Sequence, residues 1–140
     1  MRTAVIVDGD TVFFMPFFGL RIITIPMTTI RGSGHACIKE KKVCVKGDEK
    51  KVRLITPYTS GQYTVPGTAV VTIEKLKSDQ IASDCLSLKA LITEGKGLFD
   101  AKLSVLVPAT TPPPASTPDN MMSSGGKGFF RASEEWVVAG

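Results

Sequence analysis

Apolar and polar positions alternate with period two over much of this chain, as they do in strands with one buried face. Leu98–Val107 is the clearest case: Phe99, Ala101, Leu103, Val105 and Val107 fall on one face, and Asp100, Lys102 and Ser104 on the other. Thr68–Leu76 alternates Ala69, Val71 and Ile73 with Thr68, Val70 and Thr72, and Lys50–Thr56 puts Val52, Leu54 and Thr56 together. Thr3–Val7 predicts a short strand closed by the turn signal Asp8-Gly9-Asp10. Thr11–Pro26 is an apolar run broken at Pro16, Gly19 and Pro26, which predicts two or three extended pieces buried on both sides or pressed against a partner. It holds Phe13, Phe14, Phe17 and Phe18, a core cluster or a subunit interface. Pro57–Gly67 reads as a long, turn-rich connection. Ser78–Thr93 is the one helix candidate, capped by Ser83 or Asp84 with Leu88, Leu91 and Ile92 as its stripe, although a strand through Cys85–Leu91 fits nearly as well.

Between these lies Gly32–Asp48, GSGHACIKEKKVCVKGD, which predicts a tight hairpin. With Glu40-Lys41 as the turn, the opposed pairs are Lys39:Lys42, Ile38:Val43, Cys37:Cys44, Ala36:Val45 and His35:Lys46. One face is then apolar (Ala36, Ile38, Val43, Val45). The other carries His35, Cys37, Lys39, Lys42, Cys44 and Lys46.

From Pro108 the composition changes. Pro112, Pro113 and Pro114 stand in a row within a polyproline-like spacer, a Ser/Gly segment that reads as flexible follows, and Phe129–Gly140 is apolar again around Trp136. The expected division is a β-rich unit over 1–107 and, over 108–140, a linker with a terminal segment that docks on its own domain or on a neighbour.

Composition narrows the function classes. The 140 residues suit one domain, and a hydrophobic fraction of 43% suffices for a core. Thirteen Gly and nine Pro favour strands and turns over helices. The net charge of +4 gathers its cations in Lys39–Arg53, where acids interleave with them and no aromatic residue occurs. That reads as a solvated hairpin face and not as a nucleic-acid groove, which needs stacking platforms. Acids appear by position 8, unlike a signal peptide, and Thr11–Met27 contains two prolines and Arg21, unlike a membrane helix. The chain is therefore expected to be made in the cytoplasm without a classical export signal.

Candidate chemistry is sparse. His35 is the one histidine, so a hydrolytic triad has no convincing members, and a thiol–imidazole pair of Cys37 or Cys44 with His35 lacks any sign of a pocket. No Gly-Lys-Ser/Thr phosphate loop is present. The reading is of a chain that is not an enzyme. In the predicted register His35, Cys37 and Cys44 project from one face, a ligand set that would suit one zinc or iron ion, with Cys85 available as a fourth. Free thiols, or a Cys37–Cys44 cross-strand disulfide, are the other readings of the same residues.

The hairpin also resembles the repeat of PAAR-type spike-tip proteins. Gly34 opens a strand through Ile38, a tight turn follows, and Val43 and Val45 lead into Gly47-Asp48. Val5–Asp10, VIVDGD, looks like the characteristic start of that family, and Val65–Leu76 looks like the next glycine-led strand. The resemblance covers about residues 1–107. The histidine-bearing loops after Gly-Asp, which hold an apical metal in many members, have no counterpart after Asp10 or Asp48, and the Pro-Ala-Ala-Arg tetrapeptide is missing.

The resemblance implies a mainly β fold, a small cone-like β-repeat domain, to which the composition after Pro108 adds an extended Pro-rich C-terminal tail. It implies a structural role: one copy caps a trimeric β-helical spike in a contractile injection machine and sharpens it for membrane puncture. The partners implied are the spike trimer, an effector or cargo, and transiently the target membrane. Assembly into a phage-tail-like particle, with delivery outside the cell, follows from the same role. The rival reading is a small Cys/His metal-binding β domain with a sensing or catalytic role.

Overall fold

Three times the chain makes a short apolar strand, turns at a glycine, and enters a hairpin of one large sheet. The computed structural model describes residues 3–34, 37–38, 40–82, 91–95, 97–120, 123–132 and 138–139. In the first lap β1 (Thr3–Ala4) leads through Val5–Val7 and the Gly9 corner into β2 (Thr11–Phe14), β3 (Phe17–Phe18), β4 (Arg21–Ile23) and β5 (Met27–Thr29). A small hairpin of β6 (Cys37–Ile38) and β7 (Lys41–Lys42) connects to the second lap. That lap runs through Val43–Val45 and a short 3₁₀ turn (Asp48–Lys51) into β8 (Arg53–Ser60) and β9 (Tyr63–Lys75). A second 3₁₀ turn (Ser78–Gln80), β10 (Ile81–Ala82) and β11 (Leu91–Ile92) open the third lap, which continues as β12 (Phe99–Val107), β13 (Ser123–Arg131) and β14 (Val138–Ala139).

The sheet has eight strands in the order β3-β4-β8-β9-β12-β13-β2-β5. Both of its ends come from the first lap, so it curls on itself. The bend at Met15-Pro16 ties the ends together: the Met15 N–H donates to the Lys127 carbonyl of β13 at 2.8 Å, and the Ile23 N–H of β4 donates to the Pro16 carbonyl at 3.0 Å. The concave side buries Val12, Phe14, Phe18, Ile23, Leu54, Tyr58, Ala69, Val71, Ile73, Phe99, Leu103 and Phe130 in one core. Phe99 is its centre, edge-on to Phe14 at 5.7 Å and tilted against Phe130 at 5.1 Å between centroids. The expected alternation on β8, β9 and β12 is the one that points inward, except at the end of β12, where a register shift after Val105 leaves Val107 58% exposed. Of the Phe-rich run, Phe14 and Phe18 are core, Phe13 stacks on Phe129 at 5.1 Å, and Phe17 is 63% exposed.

Several expectations need correction. Pro57–Gly67 is not a long connection, because β8 and β9 run through it to a tight turn at Gly61-Gln62. Pro57 is tolerated because its carbonyl faces Thr24, whose N–H it accepts at 3.0 Å; its absent N–H is missing on that side and not from the ladder with β9. The described parts of Ser78–Thr93 are a 3₁₀ turn and two paired strands, Ile81–Ala82 with Leu91–Ile92, and not helix. Ser83, Asp84, Cys85 and Leu88 lie outside the described residues.

The Ser/Gly stretch is strand. Ser123–Arg131 sits between β12 and β2, with Ala101 opposite Gly126 and Phe130 opposite Val12. A Cβ at Gly126 would overlap the ring of Phe18, and one at Gly128 the ring of Phe99, so the glycines make room for core aromatics. The Pro-rich segment folds back onto the body where an extended tail was expected. Thr110 bridges both Val65 and Pro118, and Ala109 is fully buried. The terminal segment docks on its own chain, Val138 and Ala139 pairing with Ala4 and Thr3. Trp136 lies outside the described residues.

Candidate functional site

The three short strands that begin the laps meet one another. Val5 bridges Thr93, Val7 bridges Val43, and Val45 bridges Leu91, each in antiparallel sense. The hydrogen bonds close the same cycle: the Ile6 N–H donates to the Ile92 carbonyl at 3.0 Å, Ile92 to Cys44 at 2.9 Å, and Cys44 to Ile6 at 2.9 Å. A second set repeats the relation one step out, Asp8 N–H to Lys42 carbonyl at 2.7 Å and Glu94 N–H to Ala4 carbonyl at 2.8 Å. Each strand thus pairs by its first half with one neighbour and by its second half with the other. The result is a triangle with pseudo-threefold symmetry built from Val5–Val7, Val43–Val45 and Leu91–Thr93.

Period two sends alternate side chains to opposite sides of this triangle. Ile6, Cys44 and Ile92, the middle residue of each side, are fully buried in the main core. Val5, Val7, Val43, Val45 and Leu91 form a second buried cluster. The corners match as well. Gly9, Gly47 and Gly95 all have positive φ, at 87°, 112° and 63°, the backbone region that disfavours any side chain with a Cβ. In the first two corners the aspartate after the glycine closes the turn twice. Asp10 N–H donates to the Val7 carbonyl at 3.1 Å while its carboxylate accepts the Val7 N–H at 2.8 Å. Asp48 does the same with Val45 at 3.0 and 2.9 Å.

The third corner reads Glu94-Gly95-Lys96 and has no such aspartate. Its Thr93 N–H goes instead to the Gln80 carbonyl at 2.9 Å. The buried Gln80 side chain is itself fixed, accepting the Lys77 N–H at 2.9 Å and donating to the Gly97 carbonyl at 3.1 Å. The third unit of the repeat is therefore Leu91–Gly95, not Val65–Leu76, which belongs to β9. The signal was present in Leu91–Lys96, two apolar residues, a β-branched one, a polar one and glycine, as in Val5–Asp10 and Val43–Asp48.

The triangle also decides the hairpin register. Cys37 stands opposite Lys42 and Ile38 opposite Lys41, so the turn falls one residue earlier than expected, with Glu40 at φ 70°. Val43–Val45 is held by Val7, Ile6 and Leu91 and is not free to pair with 36–38. Of the three expected metal ligands, Cys37 is exposed on β6 and Cys44 is fully buried at the triangle centre. His35 lies outside the described residues. No group of three or more His, Cys, Asp or Glu suited to a metal occurs among the described residues. Burial, with Asp48, Asp10 and Asp8 adding to it, pushes the Cys44 thiol far above its ordinary value.

The far end of the sheet is unlike the triangle. The first lap inserts the β3–β4 hairpin there, the second makes only the Gly61-Gln62 turn, and the third adds the segment 108–120. That segment is clasped by buried polar groups which sequence patterning did not single out. Arg21, 2% exposed, pairs through Nε and Nη2 with the Asp119 carboxylate at 2.9 Å and donates through Nη1 to Ser124 Oγ at 2.6 Å. The Tyr58 hydroxyl donates to Asp119 at 3.1 Å and accepts the Ala109 N–H at 3.0 Å. Burial raises the Tyr58 pKa above its ordinary value. Phe17, Leu20, Ile22, Leu106 and Val107 are exposed at or near this end.

The described residues build a triangular frame at one end and a curled sheet that runs from it to the other. No curated protein matches the sequence. A family model described as contractile injection system spike tip protein matches residues 1–140, and the chain, a structural protein of the PAAR type assembled into a phage-tail-like particle, belongs to that family.

Proposed function

We propose that one copy of this protein caps a trimeric β-helical spike, with its triangle against the spike and its hairpin ends leading. The single observation that carries this reading is the triangle itself, three near-equivalent strand-and-glycine units cyclically bonded around one axis. A trimer offers three identical surfaces at its end. A single chain uses all three only if it presents nearly the same surface three times around the same axis.

The distribution of asymmetry supports the orientation. Equivalence is close at the triangle, down to paired hydrogen bonds, and is lost at the hairpin ends, where each lap differs. Matching a threefold partner constrains only the face that touches it. The opposite end is free to diverge, to carry a cargo or effector, and to meet the target membrane, for which its exposed Phe17, Leu20 and Ile22 are suited. The curl of the sheet, tied by the Met15-Pro16 bend, and the buried Arg21–Asp119 pair keep the body stiff under axial load, as puncture requires. The protein is made in the cytoplasm and acts outside the cell once the particle is released.

Native mass spectrometry of this chain co-expressed with the trimeric spike protein of the same machine tests the reading. The expected species holds three spike chains and one copy of this protein. A lone monomer with no affinity for the trimer overturns it.

A further inference from the structure

We infer that one corner of the triangle is a cationic docking point for a carboxylate-rich surface on the end of the spike trimer. The inference rests on the proposed orientation, and it adds the chemistry of the partner. In sequence the stretch 31–53 carries eight cations and three acids, the acids interleaved with the cations. The fold sorts those charges. Asp48 is 3% exposed: its carboxylate accepts the Val45 N–H, the Ser33 N–H at 3.0 Å and the Ser33 hydroxyl at 2.6 Å. Glu49, 6% exposed, accepts the Gly47 N–H. Both acids are used up inside the second corner. On the surface remain Arg31, Lys41, Lys42, Lys46, Lys50, Lys51 and Arg53, with Glu40 the one exposed acid among the described residues of that stretch.

Four of these cations flank the second triangle strand, and Lys41 stands beside Lys42 on β7. Lys42 immediately precedes the second triangle strand, Lys46 is in its corner, and Lys50 and Lys51 follow it in the 3₁₀ turn. Lys46 occupies the position held by Asp8 and Glu94 in the other two corners, so positive charge is concentrated on one corner of three. A threefold partner tolerates this asymmetry: each of its three subunits offers the same acidic patch, and any one of three equivalent seatings satisfies the cationic corner. The absence of aromatic residues from 31–53 argues against single-stranded nucleic acid as the occupant. Attraction between solvent-facing charges of this kind raises the association rate and is screened by salt.

The test compares the parent chain, the triple reversal Lys41→Glu/Lys42→Glu/Lys46→Glu, and the control Lys102→Glu on β12, for binding to the purified spike trimer at low and high salt. Circular dichroism and thermal melts check that each variant is folded. The expected result is a loss of about tenfold or more in affinity for the triple reversal at low salt, a comparable loss for the parent in high salt, and no change for Lys102→Glu. A 3:1 complex that forms equally well with the triple reversal and is indifferent to salt overturns the cationic corner and leaves the cap reading standing. Equal weakening by Lys102→Glu also overturns it, since net charge and not the corner would then be responsible. No complex under any condition is the failure of the cap reading itself. Binding of the parent to anionic vesicles, with none to the trimer, puts the corner on a membrane and overturns the inference.

Discussion

Arg21 and Asp119, ninety-eight positions apart in sequence, form an ion pair at 2.9 Å that is almost wholly withdrawn from solvent, at 2% and 7% exposure. Asp119 lies in the segment after β12, Arg21 on β4, so the pair fastens 108–120 to the sheet. Removing one partner leaves the other charge buried and uncompensated, whereas removing both does not. Asp119→Ala is expected to cost about 3–5 kcal/mol in chemical denaturation. A joint Arg21→Met/Asp119→Leu replacement should cost much less. Equal losses for the single and the joint variants would show that the segment is held by packing and not by the pair.

The triangle corners make a separate prediction about backbone strain. No atom lies within 4 Å of a Cβ built on Gly9 or Gly47, so replacement by alanine there meets no steric obstacle, only an unfavourable φ of 87° or 112°. Gly9→Ala and Gly47→Ala are each expected to lower stability by about 1–2 kcal/mol. Gly125→Ala, with equally open space and no positive φ, should be neutral or slightly stabilising. If all three behave alike, the corners are not what fixes the triangle.

How much of this was legible in the sequence depended on which residues made the contact. β8, β9 and β12 could be read from period two because their inward residues are Leu54, Val71, Leu103 and their like, and burial is what creates that pattern. β13 could not, since its inward positions include Gly126 and Gly128, whose value is the space they leave for Phe18 and Phe99, and a missing side chain has no hydrophobic signature. Two triangle units were visible through Gly-Asp, because the aspartate closes its own turn within four residues. The third was hidden because Gln80, far from it in sequence, takes over that hydrogen bond. The hairpin register departs from local pairing rules for the same reason: Cys44 is bonded to Ile6 and Ile92, and those rules carry no information about partners so distant.

Thiol labelling separates the two described cysteines. Cys37 is exposed and Cys44 is fully buried with its thiol held protonated by desolvation. Reaction of the native protein with an alkylating agent at mildly alkaline pH, followed by peptide mapping, should modify Cys37 and leave Cys44 untouched until denaturant is added. Rapid native modification of Cys44 would mean that the triangle opens readily. Metal analysis on the same samples bears on the ligand set expected from the sequence: a stoichiometric zinc or iron ion lost in Cys37→Ser would make Cys37 a ligand, and one retained in that variant would rule it out.

Asp100 and Lys127 face each other across β12 and β13, and Lys77 approaches the same carboxylate oxygen at 3.7 Å. The hydrogen bond from Lys127 is the main reason the Asp100 carboxyl lies below its ordinary value of 3.8. A folded-state pKa depressed in this way contributes stability above the ordinary value, which is lost as pH falls through the folded one. The group is open to solvent, so the effect is small and sensitive to salt. Asp100→Asn is therefore expected to be slightly less stable than the parent at neutral pH in low salt, and to converge with it on acidification. Melting curves collected across that pH range check this. A difference that persists unchanged into strong acid would assign the loss to packing between β12 and β13 and not to the charge on Asp100.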